Sequence, residues 1–305
     1  MRIVMTGATA GIGLFAASRM ADAGHNLVVG ARSPDTPPAE LAGRASFLPL
    51  DLDSLTSVRA FVEALGPQPV DRLVLNAGLQ SSRPAVSADG FERTFAVNHL
   101  AHFLLLDLLV DRLAPGARVV FTGSGTHDPA EKTPVTPPIH AVAEFLAYPD
   151  RDPQREKRTR QAGFRAYSSS KLCNIMTARE GAVRLPQFTF IAFDPGYVPH
   201  TGLARDNPKW IATLVGYIVP FLMKRDRSST IARSGQYLAD VVLQPSYADA
   251  SGAYWAVRGP DLVRIEPSDL ARDSGACRKL WDDSARMTAL APPGPQSDSP
   301  YSSNQ

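Results

Sequence analysis

The sequence has only two cysteines in 305 residues, Cys173 and Cys277, so a disulfide framework cannot be what organises the fold. Neither stands at metal-ligand spacing from the other or from the six histidines, and no metal site is expected. Charge of one sign is also lacking. A formal net charge of +2 gives no overall pull toward nucleic acid, and none is expected as a partner. The apolar stretch from Trp210 to Met223 falls short of the roughly 20 residues that span a bilayer, and Pro220 interrupts it. No transmembrane segment is therefore expected. Met1 leads straight into Ile3-Val4-Met5 and a glycine turn, with no charged leader and apolar signal core, which predicts a cytoplasmic, reducing location.

What is present is the composition of an ordinary soluble globular protein, 44% hydrophobic and 20% charged. Apolar runs of strand length alternate with longer segments of helical spacing, the pattern of a parallel sheet covered by helices. Strands are predicted near residues 2–6, 26–31, 46–49, 71–75, 117–122, 188–193 and 252–256. Helices are predicted from about Gly11, Ser54, Asp89, Phe164 and Ser228 onward. The fold class predicted is α/β, a Rossmann-type doubly wound parallel sheet of about seven strands with helices on both faces, as a single domain over 1–291.

Three stretches break the rhythm. Residues 128–163 form a long Pro-rich and charged interruption, with the run Arg151 to Arg160 read as a solvated loop. Residues 200–226 contain the apolar stretch from Trp210 to Met223, which reads as a core or crossover helix, as a lid over a lipophilic substrate, or as a membrane-surface contact. Residues 292–305, rich in Pro, Ser and Gln, are expected to be a disordered tail.

The first strand runs into Thr6-Gly7-Ala8-Thr9-Ala10-Gly11-Ile12-Gly13 and then into a helix. Glycines there let the backbone approach a pyrophosphate, and the helix N-terminus offers unpaired N–H groups and a positive dipole end. The spacing is a variant of the dinucleotide fingerprint, which makes Gly7, Thr9, Ala10, Gly11, Ile12 and Gly13 candidate cofactor contacts. The second strand ends in Ala31-Arg32-Ser33, with no carboxylate to accept from ribose hydroxyls. Arg32, with Ser33, suits a 2′-phosphate, so NADP(H) is the expected cofactor.

Further along, Tyr167 and Lys171 stand four apart in a helical segment and share a face. A cation beside a phenol favours phenolate, which would lower the tyrosine pKa toward a working pH. TGATAGIG, Asp51, Asn76-Ala77-Gly78, Asn98, Ser124, Tyr167-Ser-Ser-Ser-Lys171 and Pro195-Gly196 occur in the order found in short-chain dehydrogenases/reductases, which the chain resembles over nearly its whole length. The resemblance implies Asn98, Ser124, Tyr167 and Lys171 as the catalytic set. In it Ser124 bonds the substrate oxygen, Lys171 also holds the nicotinamide ribose, and Asn98 holds a relay water. It further implies adenine contact at Asp51 and Leu52, strand bracing at Asn76 with Ala77 and Gly78 beside the cofactor, and a nicotinamide-side loop at Pro195, Gly196, Val198 and Thr201. Thr126 and His127 read as turn residues, with His127 a candidate for the substrate rim. His99 and His102 read as packed or interface residues rather than ligands.

Ser124 and Tyr167 lie 43 residues apart, where many family members separate them by about a dozen. With Asp89-Gly-Phe-Glu-Arg, Thr201-Gly202-Leu203 and Ser251-Gly-Ala-Tyr-Trp255, that insertion is similar to light-dependent protochlorophyllide reductases and, more loosely, to retinol-dehydrogenase-like enzymes. The former carry a cysteine after the Pro-Gly pair, where this sequence has Tyr197. The function expected is therefore a dark NADP(H)-dependent interconversion of carbonyl and alcohol on a lipophilic or aromatic small molecule. Light-dependent C=C reduction and a catalytically idle NADP(H)-binding sensor or scaffold are the alternatives, and a homodimer is left open.

Overall fold

In the strand Arg2–Thr6, Ile3 and Met5 enter one buried apolar cluster while Val4 enters another. That alternation with both faces covered is what a central strand of a parallel sheet requires. The computed structural model describes residues 1–198 and 228–289. Its eight strands are β1 (Arg2–Thr6), β2 (Asn26–Ala31), β3 (Ser46–Pro49), β4 (Val70–Leu75), β5 (Leu113–Thr122), β6 (Thr189–Asp194), β7 (Ala253–Arg258) and β8 (Asp261–Ile265). They lie in the order β3-β2-β1-β4-β5-β6-β7-β8, all parallel except the antiparallel β7–β8 pair. Strand order reverses between β1 and β4, the switch point beside which open α/β sheets bind ligands.

One face of the sheet is covered by helices Gly11–Asp22 and Ile231–Leu243, whose Ala16, Met20, Leu238 and Val242 meet Ile3, Val29, Val120 and Ile191. The other carries Leu55–Ala64, Arg93–Arg112, Thr159–Arg184 and Ser274–Ala289. Caps fix where helices begin. Ser54 accepts from Ser57 N at 3.3 Å, and Thr230 accepts from Arg233 N at 3.1 Å. The helix expected from Asp89 starts at Arg93 instead, because Glu92 accepts from Thr94 N and Phe95 N, while Asp89 takes the N–H of Leu55 at 2.8 Å. The helix Arg93–Arg112 is the one described helix long and apolar enough to cross a membrane, and 78% of that window is buried inside the protein.

Among the elements not anticipated are β8 and the helix Ser274–Ala289. β8 makes an eighth strand through a hairpin turned by Gly259 and Pro260, with Gly259 at φ 57°. Helix Ser274–Ala289 buries Cys277, Leu280, Asp283, Ser284 and Thr288, a stripe mostly of polar residues and so weakly apolar in sequence. It covers the two long helices: Trp281 meets Phe103 edge-on at 5.0 Å, and His99 bonds Ser284 at 2.9 Å. Within 128–163 short helical turns alternate with loop, and the helix predicted from Phe164 begins five residues earlier at Thr159. The insertion is fastened to that helix by Ser168 Oγ donating to Thr136 O at 2.6 Å. Its charged run is largely exposed and pairs locally, Arg151 with Glu144 and Arg155 with Asp150. Thr201, the lid-like stretch 200–226 and the tail 292–305 lie outside the described residues.

One buried cation ties the sheet to a helix end. Arg118 on β5 donates from Nη1 to the carbonyls of Val241, Val242 and Gln244 at 2.5, 3.1 and 3.0 Å, closing the C-terminus of helix Ile231–Leu243. Burial brings its pKa down to about 10, still well above neutrality. Replacing Arg118 with Met should leave those carbonyls short of donors and cost roughly 2–3 kcal/mol in urea unfolding. A loss within about 0.5 kcal/mol, the usual spread of neutral surface changes, would show that the helix end is satisfied without it.

Candidate active site

The turn after β1 is shaped by what it cannot hold. A Cβ on Gly7, at φ 70°, would lie 2.7 Å from Ala77 Cα, and one on Gly13 would lie 1.9 Å from Gly7 O. Strand, turn and helix therefore close together only with hydrogen at both positions. Gly11, at φ 57°, has no atom within 4 Å of where its Cβ would stand. Helix Gly11–Asp22 starts from Ala10 with no side-chain cap and no acid in its first turn. Uncapped N–H donors above an open glycine fit a dinucleotide pyrophosphate. Thr9 and Ala10 are exposed at this turn, and Ile12 is half-buried behind it. Arg32 and Ser33 are exposed just past β2, and Leu52 is buried next to an exposed Asp51 whose Oδ1 accepts from Asp53 N at 3.1 Å.

Behind the turn a hydrogen-bond brace crosses three strands. Thr6 Oγ1 accepts from the N–H groups of Asn76 and Ala77, each at 3.1 Å, and donates to His102 Nε2 at 2.9 Å. Asn76 Nδ2 donates to Gly7 O at 3.0 Å while its Oδ1 accepts from Thr122 Oγ1 at 3.1 Å. Thr122 O in turn accepts from Lys171 Nζ at 3.1 Å and Asn174 Nδ2 at 3.2 Å. The ends of β1, β4 and β5 are thus held in one frame, with the Lys171 ammonium at its far side.

Asn98 sits in a π-helical stretch, Ala96–Leu100, inside the helix Arg93–Arg112. Its side chain is fully used: Oδ1 accepts from Leu79 N at 2.8 Å, and Nδ2 donates to Leu79 O and Ser170 Oγ at 2.9 and 3.0 Å. Its main-chain carbonyl accepts from His102 Nδ1 at 3.0 Å. A Cβ on Gly78 would come within 3.3 Å of both Asn98 Oδ1 and Lys171 Nζ, so Gly78 keeps the space in which these groups meet.

Ser124 follows β5 and is half-buried, its hydroxyl capping the turn Gly125–His127 by accepting from Thr126 N at 3.3 Å. The Ser124 side chain is near enough to Tyr167 to pull the phenol's pKa down. Lys171 Nζ lies 5.8 Å from the centre of the Tyr167 ring. Asn98, Ser124, Tyr167 and Lys171 are therefore gathered at one place. The expected lowering of the tyrosine pKa is not found in the protein alone. Burial pushes Tyr167 up; Ser124 pulls it down, and the Asp194 charge adds to the rise. The Lys171 ammonium is not among the groups that move the phenol, and burial brings Lys171 itself down to about 8, against the pull of Asp194.

His127 is not on the rim. It is buried, donates from Nδ1 to Ser124 O at 2.7 Å and accepts from Ser268 N at 3.1 Å, so it holds the Ser124 turn from behind. His99 and His102 are likewise buried and bonded at both nitrogens. On the β6 side, Gly196 N donates to Asp194 Oδ1 at 2.9 Å, Pro195 O accepts from Ser234 Oγ at 2.6 Å, and Val198 is buried. Sequence reasoning passed over Asp194, Tyr254 and Arg258, which meet in this wall at 3.1 Å. The available signal was an acid ending an otherwise apolar strand immediately before Pro195-Gly196.

A family model described as short chain dehydrogenase matches residues 1–133. Protochlorophyllide reductase A of Triticum aestivum is 34% identical over 316 residues, spanning 95% of this chain and 80% of its own length. The chain belongs to the short-chain dehydrogenases/reductases. Within them it falls on the protochlorophyllide reductase-like branch, and the reductase of Avena sativa is also 34% identical, over 95% of this chain and all of its own. Among solved structures, a protein of Mycobacterium Paratuberculosis superposes with a TM-score of 0.68 at 26% identity, covering 96% of this chain and 94% of its own. A short chain dehydrogenase from Burkholderia cenocepacia J2315 in complex with NADP has a TM-score of 0.61 at 22% identity over 85% and 96% of the two chains, a likeness of fold.

In this short-chain dehydrogenase/reductase the two buried histidines give a test of the site's electrostatics. Burial holds His99 at about 4 and His102 at about 3, so both stay neutral in the folded state while unfolded chains protonate near pH 6.5. The unfolded state then binds more protons, and stability should fall as pH drops from about 6.5 toward 4, by roughly 1.4 kcal/mol per pH unit for each histidine. His102→Gln should remove one proton's share of that slope, whatever its absolute stability. An unchanged slope would mean that His102 is charged in the folded protein.

Proposed function

We propose that this chain is an NADP(H)-dependent reductase that interconverts a carbonyl and an alcohol on a lipophilic or aromatic small molecule. The observation that carries the reading is Tyr167 with Ser124 beside it and the buried Lys171 ammonium 5.8 Å from the centre of its ring. NADPH, when bound, supplies the hydride. Tyr167 gives its hydroxyl proton to the oxygen that becomes the alcohol, and Ser124 donates a hydrogen bond to that oxygen as charge develops. Lys171, fixed by Thr122 O, supplies positive charge to the site and would hydrogen-bond the nicotinamide ribose of a bound cofactor. Asn98, whose carbonyl takes the imidazole of His102, would hold the water that returns protons to Lys171. The uncapped start of helix Gly11–Asp22 receives the pyrophosphate, and Arg32 meets the 2′-phosphate.

A second reading is light-dependent C=C reduction, favoured by relatives that carry the name protochlorophyllide reductase. Against it stands Tyr197, half-buried after Pro195-Gly196, in place of the cysteine those enzymes carry. Both readings are tested by following NADPH absorbance with lipophilic aldehydes, ketones and quinones and with protochlorophyllide, in darkness and in light. Carbonyl-dependent oxidation in the dark is expected, with NADH poorer. Arg32→Ala should raise KM for NADPH about tenfold, the worth of one charge-assisted hydrogen bond, and leave NADH unaffected. Turnover with protochlorophyllide only, and only in light, would replace the first reading by the second.

A further inference from the structure

We propose that Asp194, paired with Arg258, is a positioning residue that sets the charge felt by Tyr167 and Lys171 and so fixes the pH range in which the site works. The inference rests on the catalytic reading above and assigns a role to a wall of the site which that reading leaves idle. β6 is apolar from Phe190 to Phe193 and ends in Asp194, which is 2% exposed. Its carboxylate is held on every side. Oδ1 accepts from Gly196 N at 2.9 Å, and Oδ2 accepts from Tyr254 OH and from Arg258 Nη1, each at 3.1 Å. A Cβ on Gly125 would lie 3.3 Å from Asp194 Oδ2, so the carboxylate is seated directly against the turn that follows Ser124. Arg258 Nη2 then reaches Glu131 Oε1 at 3.3 Å, joining this wall to the 128–163 insertion.

The carboxylate takes three donors, one of them the guanidinium of Arg258. The other groups around the tyrosine and lysine do not offset it. From helix Arg93–Arg112 come His99 and His102, both neutral at physiological pH, and behind Ser124 stands His127, whose pKa burial lowers. On their own helix Cys173 is pushed up by burial and stays a thiol, and on β7 Tyr254 is likewise pushed up. Arg258 contributes one positive charge, against Asp194 and Glu131. The Asp194 charge raises the pKa of Lys171 and of Tyr167, opposing at Lys171 the loss of its proton to burial. It therefore keeps the ammonium charged and the phenol protonated up to a higher pH than burial and Ser124 alone would allow.

Two substitutions separate charge from shape. Asp194→Asn keeps an acceptor for Tyr254 and removes the charge; Arg258→Gln removes the counter-charge and leaves Asp194 less screened. In the full-length protein, the alkaline limb of kcat/KM should move down by roughly one pH unit in Asp194→Asn and up in Arg258→Gln. The pH dependence of the NADPH Kd, read by fluorescence without any substrate, should shift in the same two directions through Lys171. Limbs that stay in place in both variants, or move the same way in both, would overturn the proposal and leave Asp194 a structural residue. If wild-type protein oxidises NADPH with no carbonyl, the catalytic reading fails while the Kd profiles still decide the role of Asp194. Should Asp194→Asn fail to fold, Arg258→Gln decides alone: an upward shift supports the proposal and no shift overturns it.

Discussion

An ammonium buried at the end of a sheet is the constraint on which this site depends. Lys171 is 2% exposed and donates from Nζ to the carbonyl of Thr122 at 3.1 Å. An isolated charge in such a place is costly, and it persists only where carbonyls and a counter-charge surround it. The carbonyl is supplied by the last residue of β5. The counter-charge comes from Asp194 at the end of β6, the adjacent strand. The parallel sheet thus does more than support the helices: the C-terminal ends of neighbouring strands carry the polar groups that help keep a buried lysine charged.

The same frame explains why so many small or polar residues occupy buried positions here. Gly78 leaves room for Lys171 and Asn98, Gly13 lets helix Gly11–Asp22 close on the turn after β1, and Thr6 joins that turn to His102. The π-helical stretch Ala96–Leu100 turns Asn98 toward Leu79 and Ser170, at the cost of regular helical bonding. His102 makes good part of that loss by donating to the carbonyl of Asn98, an acceptor on its own helix. The glycine turn after β1 and the helix that carries Asn98 are therefore parts of a single hydrogen-bonded unit.

Much of this was legible in the sequence, because glycine turns, a Tyr and Lys four apart and alternating apolar strands are local signals. Asn98, Ser124, Tyr167 and Lys171 could be named from their order along the chain and do meet in space. What could not be read depends on partners distant in sequence. Asp194 and Arg258 are 64 residues apart and become a pair only when β6 and β7 align. Helix Ser274–Ala289 has a buried stripe containing Ser284 and Thr288, whose burial makes sense only against His99 and the other side chains above it. The raised pKa of Tyr167 follows from desolvation, a property of the assembled site and not of the tyrosine–lysine spacing.

The central claim is that the Tyr167 hydroxyl, set by Ser124 and backed by Lys171, is the proton donor for hydride transfer. The most direct measurement is single-turnover oxidation of NADPH in the dark by Tyr167→Phe, alongside its NADPH Kd. The account predicts a rate lowered at least about 100-fold with the Kd nearly unchanged, since the lost hydroxyl acts in proton transfer and the phosphate and ribose contacts remain. Full-rate turnover by Tyr167→Phe would contradict it and move the proton donor elsewhere in the site.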